Sequence, residues 1–256
     1  ALVGLLLALL LMAGLARNLK RQQREQTRLE DELRRSERLA SLGMLLTGVA
    51  HEVRNPLAAI RSTVQLWQRM PDQSRTPDSL DAVIRAVDRL NETVTQLLYF
   101  SRVDATEREP VDVNGLVRET LELFAAQASE QQVSLRTDLS DDVGDIMASP
   151  SALRQALVNL TTNALQAMPG GGQLEVTTRS NENRDAVSID FADSGRGIAP
   201  EVKAHLFEPF FTTRPEGTGL GLALCREIVV QHDGTIECVE SDLGARFRIE
   251  LPRSNE

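Results

Sequence analysis

Lysine is nearly absent from this chain. Of 28 basic residues only Lys20 and Lys203 are lysines, and the net charge is −9. With no lysine-rich patch, that balance argues against a nucleic-acid partner. Aromatics make up 4% of the residues, with a single Trp at 67 and a single Tyr at 99, so aliphatic side chains must mark the apolar faces. Two cysteines stand at 225 and 238 without metal-ligand spacing, which excludes a disulfide framework and a cysteine-rich metal site. One lies in an apolar run and the other in an alternating one, as reduced core or half-buried thiols do in a reducing cytoplasm. No internal repeat is present.

Long uncharged runs are also missing, with one exception. Residues 1–16 are leucine-rich and carry no charge. At about 1.5 Å per residue they span roughly 24 Å, short of a ~30 Å hydrocarbon core, and are read as the C-terminal part of a transmembrane helix. The rival, a signal-peptide apolar region, lacks a small-residue cleavage site leading into a mature domain. Arg17, Lys20, Arg21 and Arg24 follow at once, which places everything downstream in the cytoplasm. The expected location is a membrane, with residues after 16 on its cytoplasmic side.

The rest divides by periodicity. Residues 17–38 form a charged signalling helix free of glycine and proline. From residue 39 a heptad runs through Leu39, Leu42, Leu46, Val49, Val53, Pro56, Ile60, Thr63, Trp67 and Met70. A turn at 70–75 leads to a second amphipathic helix, opened by Thr76-Pro77-Asp78 and running to about 101, with Leu80, Val83, Val87, Leu90, Val94 and Leu97 at helical spacing. One hairpin cannot surround its own apolar seam, so residues 39–104 are expected to dimerise into a four-helix bundle. Residues 105–110 read as a polar linker. Over 111–254 the pattern is mixed α/β. Helices are expected at 113–130, 151–168 and 220–232, and strands at 133–139, 145–148, 173–179, 186–192, 235–240 and 246–251. Without a regular βαβ repeat, the fold class is a two-layer α/β sandwich.

Several clusters carry chemistry. His51-Glu52-Val53-Arg54-Asn55-Pro56 sets an imidazole beside a carboxylate, with a carboxamide one turn on. In the heptad His51 takes position f, opposite the seam, where a reactive group is on display. A solvated surface histidine is the bland alternative. Asp193-Ser194-Gly195-Arg196-Gly197 follows an expected strand. Its carboxylate can accept from the exocyclic amine of adenine, and its glycines let backbone pass close to a ring. Gly217-Thr218-Gly219-Leu220-Gly221-Leu222 opens a helix, where free N–H groups and the helix dipole favour phosphate. It has neither the spacing of a dinucleotide fingerprint nor the Gly-Lys-Ser/Thr of a P-loop. Asn159 and Asn163 share a helix face, and a carboxamide oxygen suits Mg²⁺. Phe207-Glu208-Pro209-Phe210-Phe211 is either a local apolar plug or the anchor of a mobile lid.

Taken together these segments resemble the sensor histidine kinases of bacterial two-component systems. Residues 51–57 look like the H box, 159–164 the N box, 193–197 the G1 box, 207–211 the F box and 217–222 the G2 box, all in family order. The resemblance implies a helical dimerisation and phosphoacceptor domain, then an ATP-binding domain of the type shared with gyrase and Hsp90. It implies His51 as phosphoacceptor, with Glu52 orienting the ring and taking its proton. Asn55 would orient water for a phosphatase reaction. ATP would meet Asn159, Asn163, Asp193, Gly195, Gly197, Ile198, Arg214, Gly217, Thr218, Gly219, Leu220 and Gly221, with Mg²⁺ on Asn163. A response-regulator aspartate would receive the phosphoryl group. Three departures stand out. Ser149 replaces a common acidic residue before Pro150, Arg214 replaces a common lid lysine, and no segment resembling a HAMP domain fits between 16 and 39. Two rivals compete: a gyrase-type ATPase with no phosphohistidine, and a silent membrane-linked scaffold.

Overall fold

The computed structural model describes residues 52–102, 108–181, 185–214, 217–241 and 243–253, without the side chains of 71, 72, 92 and 96–102. The membrane segment, the signalling helix and His51 lie outside those residues. Among the described residues no helix is long and apolar enough to cross a membrane. The chain divides into two compact units, Ala1–Arg54 and Asn55–Glu256. Of the first, only residues 52–54 are described, and they are helical.

Helix α1 is described over residues 52–69. Among residues 53–69 only Val53, Pro56, Ile60, Thr63 and Trp67 are less than exposed, all on the expected seam. The turn is more ordered than expected, because Pro71–Ser74 forms a short helix, α2. Trp67 Nε1 donates to Ser74 O and Ser79 Oγ, both at 2.9 Å, and closes the turn. Helix α3 covers Pro77–Arg102. Its N-terminus is capped reciprocally: Ser79 N–H donates to Thr76 Oγ1 at 3.2 Å, and Thr76 N–H to Ser79 Oγ at 3.1 Å. The seam of α3 differs from expectation. Ser79, Val83, Ala86, Arg89, Leu90 and Thr93 are the shielded positions, whereas Leu80, Val87 and Val94 are exposed. Periodicity finds apolar stripes but cannot say which of two stripes a single partner helix covers.

The linker ends earlier than its composition suggests. Glu109–Val111 is a strand, β1, paired antiparallel with β3 (Ile146–Ala148). The helix expected over 113–130 breaks at Phe124 into α4 (Val113–Leu123) and α5 (Ala125–Glu130). The remaining strands are β2 (Val133–Leu139), β4 (Gly172–Ser180), β5 (Ala186–Asp193), β6 (Thr235–Val239) and β7 (Arg246–Pro252). They form one sheet in the order β2-β4-β5-β7-β6, antiparallel except for the β2–β4 pair. Helices α4, α6 (Pro150–Ala167) and α8 (Gly221–Gln231) cover one face, with a short α7 at Pro200–Lys203. One aliphatic core joins the layers, centred on Leu157, Leu165, Leu174, Ile189, Leu224, Ile228 and Ile249. This is the two-layer α/β arrangement the periodicities imply. Cys225 lies in that core, its Sγ donating to Ala156 O at 3.4 Å and its thiol pushed up to about 12 by burial.

Ser149 caps α6 by accepting from Ala152 N–H at 3.4 Å, so serine does serve where an acid is common. Its own N–H donates to His232 Nε2 at 2.9 Å, and His232 Nδ1–H donates to Ile228 O at 2.7 Å. His232 is 4% exposed. Burial holds its imidazole below the ordinary histidine value, only partly offset by the Ile228 carbonyl. Below about pH 6.5 the unfolded chain therefore takes a proton that the fold refuses, and stability falls as pH drops. His232→Ala leaves the Ser149 amide without its acceptor. Urea midpoints at neutral pH should register a loss of about 1–3 kcal/mol, and the variant's acid dependence should flatten.

Candidate active site

Between α6, α8 and the sheet lies a cavity of about 410 Å³. At one end is Asp193, the last residue of β5, 7% exposed. Its Oδ1 accepts from Gly195 N–H at 2.9 Å and from Ala245 N–H at 3.2 Å. Two amides thus fix one oxygen, which leaves Oδ2 to meet a ligand. Burial raises the carboxyl above the usual range, and the two amides and Arg214 pull it partly back. Glycine is required beside it. Gly244 has φ +64°, and a Cβ there would stand 1.9 Å from Asp193 O. The walls at this end are apolar, formed by Phe191, Ile198, Val202, Leu206 and Phe247. A flat, amine-bearing ring fits such a slot.

The other end is built from α6 and the loop that opens α8. Asn159 and Asn163 both line the cavity, but their amides do different things. Asn159 is buried, accepts from Gln155 Nε2 at 3.2 Å and donates to Gly221 O at 3.2 Å. Its Nδ2 end ties α6 to the first residue of α8, while its oxygen is held from within α6 by Gln155. Asn163 is half-buried and faces Arg214, whose Nη1 donates to Asn163 Oδ1 at 3.3 Å. Arg214 and Arg196 both line the cavity. Burial and then Arg196 disfavour the charged form of Arg214, while Asp193 favours it. The cavity is thus acidic and apolar at one end and basic at the other.

The lid is pinned at its base. Phe210 takes φ +66° and donates its N–H to Gly219 O at 3.0 Å. Gly219 has φ +67°, and a Cβ there would come within 2.4 Å of the Phe210 carbonyl carbon. Phe207 meets Phe247 edge-on at 6.4 Å.

Of the residues expected to meet nucleotide, Asn159, Asn163, Asp193, Gly197, Ile198, Arg214, Gly217, Thr218, Gly219 and Gly221 line this one cavity. Gly195 and Leu220 stand behind it. The Gly195 amide holds Asp193, and Leu220 is fully buried with its N–H on Thr218 Oγ1 at 3.3 Å. Glu52 is half-buried and Asn55 exposed, both on α1. Ala245, Gln166 and, apart from Ile198, the apolar wall escaped sequence reasoning. Their side chains carry no distinctive chemistry, and only the fold brings them to Asp193 and Arg214.

Two family models match the chain: "His Kinase A (phospho-acceptor) domain" over residues 41–106, and "Histidine kinase-, DNA gyrase B-, and HSP90-like ATPase" over residues 148–255. Among curated proteins, the sensor histidine kinase ZraS of Escherichia coli O157:H7 is 38% identical over 235 residues, covering 91% of this chain and 51% of that protein. The chain spans about half the length of the first curated relatives it matches. Among solved structures, the catalytic domain of the histidine kinase ThkA is 30% identical with a TM-score of 0.53, covering 57% of this chain and 96% of that one. A complex of ThkA with the response regulator protein TrrA gives a TM-score of 0.74 at 29% identity, covering 89% of this chain and 66% of that one.

Proposed function

The chain belongs to the sensor histidine kinases of bacterial two-component systems, and from that premise we propose that it autophosphorylates His51 from Mg·ATP and passes the phosphoryl group to a response-regulator aspartate. The cavity carries the reading. It holds a carboxylate clamped by two amides at an apolar slot, and arginines with a helix-opening glycine loop at the other end. Adenine is matched to Asp193 and the slot, and phosphates to Gly217–Gly221 and Arg214. The donor set suits Mg²⁺. Asn163 already turns neutral oxygens to a cation, and among the described residues no cluster of three acidic or thiol or imidazole ligands exists to cage a metal without help. A Mg²⁺ here would complete its shell with phosphate oxygens and water, and when bound it would neutralise the charge on the transferring phosphoryl group. Asn159 supports that site from behind.

The chemistry then falls to the H box. A neutral ring nitrogen of His51 forms a bond to the γ-phosphorus, the bond to the bridging oxygen breaks, and ADP leaves. Glu52 takes the proton from the other ring nitrogen. Pro56 withdraws the N–H that would pair with the Glu52 carbonyl. ATP labelled at the γ-phosphate tests the reading: the chain should acquire a label that is stable to base, labile to acid and transferable to a receiver aspartate.

The same reading extends to assembly and reversal. Leu57, Val64, Leu80, Ile84, Val87 and Val94 form exposed apolar positions along α1 and α3, which supports a homodimeric four-helix bundle over 39–104. The ATP-binding domain then spans 111–254, and residues 1–16 anchor the chain in the inner membrane with the rest in the cytoplasm. Asn55 lies one helical turn beyond His51 in sequence and is exposed. Orienting water against the regulator's phosphoaspartate is its proposed role, which makes the enzyme bifunctional. Asn55→Ala should leave autophosphorylation near the wild-type rate and slow dephosphorylation of the regulator by about a hundredfold, the usual scale for a lost water-positioning group. Equal loss of both activities would count against separate roles.

A further inference from the structure

Arg214 is half-buried, and its guanidinium is turned onto α6. Nη1 donates to Asn163 Oδ1 at 3.3 Å and also to Gln166 Oε1, and Nη2 donates to the main-chain oxygen of Asn163 at 3.0 Å. Three neutral oxygens from the second half of α6 thus converge on one positive charge. The geometry suits arginine in particular. Its two terminal nitrogens span the side-chain and main-chain oxygens of one residue, as a planar fork can and a lysine ammonium cannot. Among the described residues no carboxylate forms an ion pair with this charge, so what it occupies is a cation position made of amide oxygens.

That position includes the oxygen assigned above to Mg²⁺. Two cations cannot share it, because the approach is the same and their charges repel. We propose that Arg214 is a resident counter-cation: it holds the Asn163 oxygens in the nucleotide-free protein, and Mg²⁺ arriving with ATP must displace it. The freed guanidinium then turns to the phosphates in the same cavity. Arg214 thereby sets how much Mg²⁺ nucleotide binding requires, in addition to contributing to affinity. The inference rests on the reading of Asn163 as the metal contact.

The test is a Mg²⁺ titration of the full chain at fixed, sub-saturating fluorescent ATP analogue, reading the half-saturating Mg²⁺ concentration. Arg214→Ala should lower it about fivefold, the equivalent of one net hydrogen bond no longer competing. Arg214→Lys keeps the charge but loses the fork, and should lower it by a smaller factor; it decides the matter if the alanine variant binds too weakly to titrate. Arg196→Ala removes the same charge from the same cavity without a described hydrogen bond to Asn163, and should lower the value by a smaller factor than Arg214→Ala. An unchanged or raised requirement in both Arg214 variants overturns the proposal, as does an equal fall in Arg196→Ala. If the wild-type chain binds nucleotide equally in Mg²⁺ and in chelator, the metal reading of Asn163 itself fails, and that outcome is distinct from the others.

Discussion

His51→Gln should reduce acid-labile label from γ-labelled ATP to background while nucleotide affinity stays within about twofold of wild type. The separation follows from composition of the two parts. The binding groups identified in the cavity lie between Asn159 and Phe247, and none of them is His51. Glutamine keeps a side chain of similar reach and polarity but offers no nitrogen lone pair able to form the P–N bond. Because the nucleophile is lost outright, the chemical step has no substitute in the protein, and water cannot leave a label on the chain. Persistent acid-labile label in the variant would move the phosphoacceptor elsewhere. Phosphate release at an unchanged rate in the variant would instead favour a gyrase-type ATPase. The readout is phosphorimaging of acid- and base-treated protein, with binding measured in parallel.

Asp193→Asn should weaken adenine nucleotide binding by about two orders of magnitude. The asparagine oxygen can still accept from Gly195 and Ala245, so its amide group is left facing the base. A donor then meets the exocyclic amine, also a donor. Loss of a hydrogen bond to a charged group costs about 1.5–3 kcal/mol, and a buried donor left unpaired adds about 1–3, so about 3 kcal/mol or a hundredfold is the expected scale. A guanine nucleotide, with an oxygen where adenine has its amine, should lose far less. Fold stability behaves differently. Because burial raises the carboxyl of Asp193, ionising it costs the folded state, a penalty absent at low pH and growing as pH rises through the folded value. Removing the charge therefore should not lower the melting temperature at neutral pH. The same shift gives wild-type nucleotide binding its pH sign: affinity should fall on acidification beginning above the usual carboxylate range, as the carboxylate acceptor is protonated. Affinity that is flat with pH down to the ordinary aspartate range, or a melting temperature that drops together with binding, would speak against Asp193 as the base-reading group.

The two halves of the site differ in how far they were legible beforehand. Where function rests on a local pattern, the residues spoke for themselves. Glycines at 217, 219 and 221 before a helix announce exposed amides, and Asn159 and Asn163 at helical spacing announce a shared face. The seam of α1 is legible down to Pro56 and Trp67, because shielding in a helix repeats every three to four residues. The second stripe of α3 was legible as apolar but not as exposed. The break at Phe124 and the strand at Glu109–Val111 were not legible, since a three-residue strand exists only because β3 lies beside it.

The sequence by itself determined the order of the longer helices and strands, the f position of His51 in the heptad and the residue types available for phosphate, base and metal. These follow from interactions between near neighbours in the chain, which periodicity and spacing record. Only the tertiary structure decided how those residues are used. It set the Ala245 amide, 52 residues away, on the carboxylate of Asp193. It joined the Asn159 amide to Gly221 O, 62 residues away, and turned Arg214 onto Asn163, 51 residues distant. Hydrogen bonds that close over such separations depend on how the sheet and helices pack. The identity of two residues says what they can exchange, but only packing brings them within reach.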